Sequence, residues 1–181
     1  MFTDEEIRIA NATYRSKGSS VFDKDGNVRS VVARFVANCV SKDNKILDFG
    51  CGSDFIQGKY LKSLGFDVSG WDFGNNKPQE CVDKLEKIYD VVYASNVLNV
   101  ISSLSMLTET LEQVYNCLND GGVFIANYPQ SPRKMILKEK DLRDIVQSKF
   151  GGSAIKISGV SAPMWMFTKV SEKRKRINVG A

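Results

Sequence analysis

The chain contains no histidine among its 181 residues, and its four cysteines, Cys39, Cys51, Cys81 and Cys117, form no C-x-x-C pair. Without imidazole there is no His-based catalytic triad, and cysteines this far apart lack the spacing of a zinc site. No metal is therefore expected. Scattered cysteines of this kind are expected to stay reduced and partly buried. Any general acid–base chemistry falls to Asp, Glu, Lys, Tyr or Cys. No stretch approaches the ~20 apolar residues of a membrane span. The first residues, MFTDEEIR, are acidic and lack the basic-then-apolar pattern of a signal peptide. These absences predict a cytoplasmic protein with no membrane partner. There is no internal repeat and no low-complexity segment.

What is present suits one globular domain: 43% of residues are apolar and 25% charged. The net charge of +4 is mild, and much of it comes from Lys173, Arg174, Lys175 and Arg176. So short a run reads first as a solvated tail, although a basic cluster also offers a contact to nucleic acid. The D-K-D-G run at 23–26 lacks the rest of a calcium-binding loop and reads as a turn.

Apolar periodicity outlines the elements. Thr3 and Glu6 form a capping box before Ile7, Ala10 and Tyr14. Asn27 can cap a second helix, whose stripe runs Val28, Val31, Val32, Phe35, Val36, Cys39 and Val40. Lys45–Phe49 is a strand; Tyr60, Leu61 and Leu64 mark a helix closed by Gly65; Val68–Trp71 is a second strand. Residues 73–88 are loop-like, with room for a short strand near Cys81–Asp83. Tyr89–Ala94 is strongly β-biased, and Leu104, Leu107, Leu111, Val114, Tyr115 and Leu118 line an amphipathic helix. A turn at Asn119–Gly122 leads into a strand at Val123–Asn127. Leu142, Ile145, Val146 and Phe150 outline a last helix stopped by Gly151 and Gly152, and Ala154–Ser158 pairs with Met164–Val170 as an antiparallel hairpin. Alternating strands and helices predict an α/β fold: a doubly wound, mostly parallel sheet with helices on both faces.

The most informative segment is ILDFGCGSD at 46–54, followed by Asp72, which lies 22 positions after Gly50. A strand that enters a glycine turn and then a helix, with an acid closing the next strand, is the layout of a nucleotide-binding βαβ unit. A dinucleotide site calls for G-x-G-x-x-G, but Phe55 stands where the third glycine belongs, which opposes a nicotinamide-dependent enzyme.

The segment instead resembles the first motif of class I S-adenosylmethionine-dependent methyltransferases, D-x-G-x-G-x-G, through Asp48, Gly50 and Gly52. Asp54 replaces the last glycine and adds a charge near the expected methionine end. Further blocks match in order: GFDVSGWDF with the ribose acid Asp72, YDVVYASNVLNVI at 89–101, and LEQVYNCLNDGGVFIANYP at 111–129. ASNVLNV and NYPQSPRKM are similar to a narrower group, small methyltransferase-like proteins frequent in bacteriophage genomes, which would put the chain in a host cytoplasm.

The resemblance covers about residues 28–170 and implies a Rossmann-like sheet of seven (or six) strands, the last inserted antiparallel. Residues 1–27 would form an N-terminal helix and lid, and 171–181 a basic tail. S-adenosyl-L-methionine is the implied cofactor. Gly50, Cys51 and Gly52 would pass under its methionine portion, with Asp48 facing the ammonium group. Asp72 would hold the ribose, Phe73 would pack on the adenine, and Ser95 and Asn96 would bind polar atoms nearby. Asp83 would lie near the adenine amino group, whereas Trp71 reads as packing. Methyl transfer needs alignment more than a fixed catalytic group, so no catalytic residue is assigned. On the acceptor side stand Tyr14, Arg15, Asn99, Asn127, Tyr128 and Arg133, with Lys17 and Lys134 adding positive charge. Asn127-Tyr128-Pro129 superficially resembles the N/D-P-P-Y motif of amino-directed DNA methyltransferases, but it follows the family's fifth strand, not its fourth, so that activity is not carried over. An inactive module of the same fold, suggested by Asp54, is the alternative, and the methyl acceptor is left open.

Overall fold

The computed structural model describes residues 2–12, 28–73, 81–82 and 85–171. Tyr14, Arg15, Lys17, Asn27, Asp83 and the basic run 173–176 lie outside the described residues, as do the segments 13–27 and 74–80. The elements run α1 (Asp4–Ala12), α2 (Val31–Cys39), β1 (Lys45–Phe49), α3 (Ile56–Ser63), β2 (Asp67–Trp71), β3 (Tyr89–Ala94), α4 (Leu104–Asn116), β4 (Leu118–Asn127), α5 (Glu139–Phe150), β5 (Gly151–Lys156) and β6 (Met164–Lys169). The six strands form one sheet in the order β2-β1-β3-β4-β6-β5. β2, β1, β3 and β4 are parallel, β6 runs antiparallel to β4, and β5 antiparallel to β6. The expected doubly wound sheet with an antiparallel insertion is therefore present.

Period-two alternation along the strands builds two cores. Leu47 and Phe49 of β1 join the apolar residues of α4 and α5, whereas Ile46 faces Val32 and Val36 of α2 and Leu61 of α3. Phe124, Phe150 and Phe167 stack on the first side, with Phe124 and Phe150 centroids 5.4 Å apart. Asp48 lies between Leu47 and Phe49, so it turns to the α2–α3 face and into the apolar layer.

Four local expectations change. Helix α2 starts at Val31, because Ser30 Oγ accepts the Ala33 N–H at 3.3 Å and so caps it three residues after Asn27. Cys39, at the end of the apolar stripe, is exposed. Leu118 opens β4 instead of closing α4: it pairs with Tyr89, and the residues before Val123 bulge out of register. The predicted turn at Asn119–Gly122 is thus a bulged strand entry. The third strand near Cys81–Asp83 shrinks to one parallel bridge between Gly70 and Cys81, with the Val82 N–H donating to Gly70 O at 2.9 Å.

Candidate functional site

After β1 the chain turns out to β2, and it then returns to β3 on the other side of β1. Strand order reverses there, and in such sheets the crevice outside the carboxyl ends at the reversal is where ligands lie. The residues after β1, β2 and β3 converge on it.

The turn after β1 is pinned to the end of β2. Gly50 N–H and Cys51 N–H both donate to Trp71 O, at 2.7 and 3.1 Å. Gly52 N–H donates to Asp72 Oδ2 at 2.8 Å. The glycine turn and the acid 20 residues beyond Gly52 are therefore one unit. Gly50 and Gly52 have φ of +76° and +69°, values that a side chain makes costly. A Cβ on Gly50 would also sit 2.5 Å from Val97 Cγ2. Val97, in the loop after β3, thus forms a wall against the bare backbone of Gly50.

Phe55 explains how the turn works without a third glycine. It adopts a left-handed conformation (φ 50°, ψ 36°) at the start of α3, and its fully buried ring fills the space left by Gly58 and Gly70. Left-handed backbone is unusual for so bulky a residue, and burial of the whole ring offsets its cost. Asp54, at the replaced glycine, is exposed and accepts from Ser53 Oγ at 3.3 Å.

Below the turn, Asp48 is 1% exposed and its Oδ2 has no hydrogen-bond partner. Burial pushes its carboxyl up to about 7; the nearby Asp72 charge adds to the rise, while the Tyr93 hydroxyl and Gly58 N–H oppose it. Tyr93 is itself fully buried, its hydroxyl lies beside Asp48 without closing a hydrogen bond, and burial followed by the Asp48 charge raises it well above the usual phenol range.

Polar side chains cross-brace the loops after β3 and β4. Asn96, left-handed at φ 60°, exchanges two bonds with Asn127: Asn96 N–H to Asn127 Oδ1 at 2.7 Å, and Asn127 Nδ2 to Asn96 Oδ1 at 2.8 Å. Ser95 and Ser30 hydroxyls lie 2.9 Å apart, joining the start of α2 to the same loop. Asn99 is buried and donates to Pro132 O at 2.9 Å, leaving its own Oδ1 without a partner. Arg133 turns inward. Its guanidinium stacks 3.9 Å from the Tyr128 ring and donates to Pro129 O and Tyr128 O. Tyr128 is buried, its hydroxyl bonded to Met135 O and Leu137 O. Of the cations expected at one mouth, Arg133 therefore braces its own loop, Lys134 is exposed, and Arg15 and Lys17 lie outside the described residues.

Helix α1 reaches the same end of the sheet. Ser103 Oγ donates to Glu6 Oε1 at 2.5 Å, and Phe2 packs on Phe73 with centroids 5.3 Å apart. Phe73 continues an aromatic row through Trp71 to Phe49. Two features escaped the sequence: the Asn96–Asn127 clasp, for which a paired amide leaves no local signal, and the meeting of Cys51 with Cys81, whose sulfurs lie 2.9 Å apart.

The methyltransferase domain family matches residues 23–160. No curated protein matches the chain in sequence. Among solved structures, a TehB-like SAM-dependent methyltransferase from Corynebacterium glutamicum is 19% identical with a TM-score of 0.59, over 80% of this chain and 90% of that one. An amino pentose methyltransferase of calicheamicin biosynthesis from Micromonospora echinaspora, solved with SAM bound, gives 14% and 0.59 over 88% and 96% of the two chains. A sugar N-methyltransferase from a Streptoalloteichus species gives 12% and 0.58 over 87% and 100%. At these identities the likeness is one of fold.

Proposed function

We propose that this chain, which belongs to the methyltransferase domain family and is an S-adenosylmethionine-dependent methyltransferase, holds its cofactor across the crevice at the β1–β3 reversal and methylates a small polar acceptor. One observation carries the cofactor reading: the Gly52 N–H sits on the Asp72 carboxylate, so that turn and acid form a single cradle. The unmet acceptor on Asp48 fits such a ligand, and Val97 packed on Gly50 fixes the turn that would face it.

In this reading Gly50, Cys51 and Gly52 approach the methionine portion, and Asp48 meets its ammonium group through the Oδ2 that lacks a partner. Asp72 accepts from the ribose, with charge-assisted bonds of about 1.5–3 kcal/mol each. Phe73 packs on the adenine, and Ser95 and Asn96 bind polar atoms beside the sulfur. S-adenosylmethionine brings a methyl group already activated on a sulfonium. What the chain must add is alignment of the acceptor and exclusion of water. Residues 1–27 supply the cover, an idea supported by the contacts of Phe2 with Phe73 and of Glu6 in α1 with Ser103.

Asn99, Asn127 and Tyr128, with Tyr14 and Arg15 from the cover, make the acceptor side. In its described part the Asn127 amide and the Tyr128 hydroxyl are engaged within the fold, Asn99 keeps an unmet Oδ1, and Arg133 braces Tyr128 instead of presenting its charge. This favours a neutral polar acceptor over an anion, in keeping with the sugar substrates named for two of the structural neighbours. The phage-type wording of ASNVLNV and NYPQSPRKM supports action in a host cytoplasm. Methyl-labelled S-adenosylmethionine, incubated with the enzyme and fractionated phage and host extracts, tests the proposal. Label is expected in small-molecule fractions; label confined to nucleic acid would instead assign the basic tail a substrate-binding role.

A further inference from the structure

Cys51 and Cys81 are 30 residues apart in sequence, yet their sulfurs lie 2.9 Å apart. Cys51 sits inside the glycine turn, between Gly50 and Gly52, and Cys81 sits on the bridge to Gly70 of β2. The space for this sulfur is made by glycine: a Cβ on Gly70 would lie 2.7 Å from Cys81 Sγ. Both cysteines are half-buried. A disulfide needs about 2.05 Å between sulfurs, so the two have less than an ångström to close.

We propose that Cys51 and Cys81 form a reversible disulfide that opposes S-adenosylmethionine binding, which makes the glycine turn a thiol-oxidation site. The inference rests on the cofactor reading above. The oxidant is of the glutathione-disulfide class. One protein thiolate attacks it and releases a glutathione thiolate, and the second then displaces the other glutathione from the mixed disulfide. The protein gives up two electrons and two protons, and the oxidant becomes two thiols.

The opposition to cofactor follows from how the turn is held. Gly50, Cys51 and Gly52 already hang from Trp71 O and Asp72 through three N–H bonds. Drawing Cys51 toward Cys81 pulls the turn toward the outer edge of β2 and re-aims those N–H groups together with the ribose acid. Linkage makes the effect reciprocal: a cofactor that binds the dithiol form more tightly favours that form by the same factor. Burial, then the neighbouring thiol and carboxylates, push the Cys51 thiol far up. A disfavoured thiolate gives the reduced form none of the stabilisation that makes some disulfides strong oxidants, and it makes the exchange slow and faster at higher pH.

The test equilibrates the protein in glutathione redox buffers with and without saturating S-adenosylmethionine. Acid quenching, alkylation and peptide mass mapping then count Cys51–Cys81 linkage, with exposed Cys39 as the reference thiol. Calorimetry compares cofactor affinity in reduced and oxidised protein. The expected results are a linked peptide joining the two cysteines and at least tenfold weaker binding after oxidation, reversed by dithiothreitol. A tenfold preference also raises the midpoint potential at saturating cofactor by about 30 mV. Cys81→Ser should abolish the linked peptide. Separate glutathione adducts on Cys51 and Cys81 without linkage would overturn the inference, as would linked protein that binds cofactor as tightly as the dithiol. Reduced protein that binds no S-adenosylmethionine would overturn the cofactor reading too, whereas unchanged affinity after linkage overturns this inference alone.

Discussion

The two ends of the central strands hold aspartates in opposite states. At the amino end, Asp90 of β3 accepts the Lys45 N–H at 2.8 Å and Asn119 Nδ2 at 2.6 Å, and these bonds hold its carboxyl below the usual range. At the carboxyl end, Asp48 of β1 is buried with one oxygen unmet, and burial pushes it up to about 7. The strands are neighbours in one sheet. Asp90 spends its acceptors inside the fold, fastening the entries of β1 and β4 to β3. Asp48 keeps an acceptor oxygen that no group of the fold fills, although the Tyr93 hydroxyl lies near it. Asp90 thus belongs to the structural end of this sheet, and Asp48 to its proposed binding end.

Substitutions at the binding end should reduce affinity more than substitutions at the structural end, and the largest effect is expected from Asp72→Ala. Losing two charge-assisted ribose bonds of about 1.5–3 kcal/mol each should weaken cofactor binding roughly a hundredfold or more by calorimetry, with the circular dichroism spectrum intact. Unchanged affinity in a folded variant would detach the acid from the site.

Gly50→Ala comes next. It places a side chain at φ +76° and a Cβ 2.5 Å from Val97 Cγ2. Left-handed backbone alone costs about 1–2 kcal/mol, and each kcal/mol lowers the melting temperature of a chain this size by roughly 2–4 °C. Both stability and cofactor affinity should fall. A variant as stable and as tight as wild type would remove Val97 as the wall of the turn.

The pH dependence of folding separates the two aspartates directly. Asp48 has its folded value, about 7, above the ordinary 3.8, so the folded state holds an extra proton between these values. Its effect is a decline in stability as pH rises through that window, levelling off above it. Asp90 is lowered, so its contribution is complete above the ordinary carboxylate range and is lost as pH falls through its folded value. Thermal unfolding followed from about pH 2 to 8 should show the Asp48 slope between its two values vanish in Asp48→Asn, while the loss below the ordinary carboxylate range, to which Asp90 contributes, persists. A slope that survives the substitution would mean that another group titrates there.

Asp54→Gly should have the smallest effect. The carboxylate is exposed, so its removal should leave cofactor affinity unchanged or improve it a few-fold. A collapse of binding would make Asp54 a ligand of the ammonium group.

The strands bordering the crevice were legible because their signals are local: Lys45–Phe49 and Tyr89–Ala94 are bounded as their apolar runs predict. The Gly50–Asp72 spacing pointed to the candidate site, and the turn and the acid do meet there through the Gly52 N–H. What the sequence hid depends on distant partners. Ser30 caps α2 and also meets the Ser95 hydroxyl 65 residues away, a partner that no local pattern announces. Leu118 keeps helical spacing with Val114 yet pairs with Tyr89. Arg133 carries a charge that periodicity assigns to the surface, but the Tyr128 ring and two carbonyls draw it inward. Cys51 and Cys81 meet only because the glycine turn folds back over β2.

The most direct test of the crevice is a pair of titrations on the reduced protein, S-adenosylmethionine against NADH, followed by calorimetry and thermal shift. At 100 times its dissociation constant, S-adenosylmethionine should add about 2.7 kcal/mol of apparent stability, a rise of roughly 5–10 °C for a chain of this size, through one saturable site, and NADH should add nothing. Saturable binding of NADH without binding of S-adenosylmethionine would contradict the account.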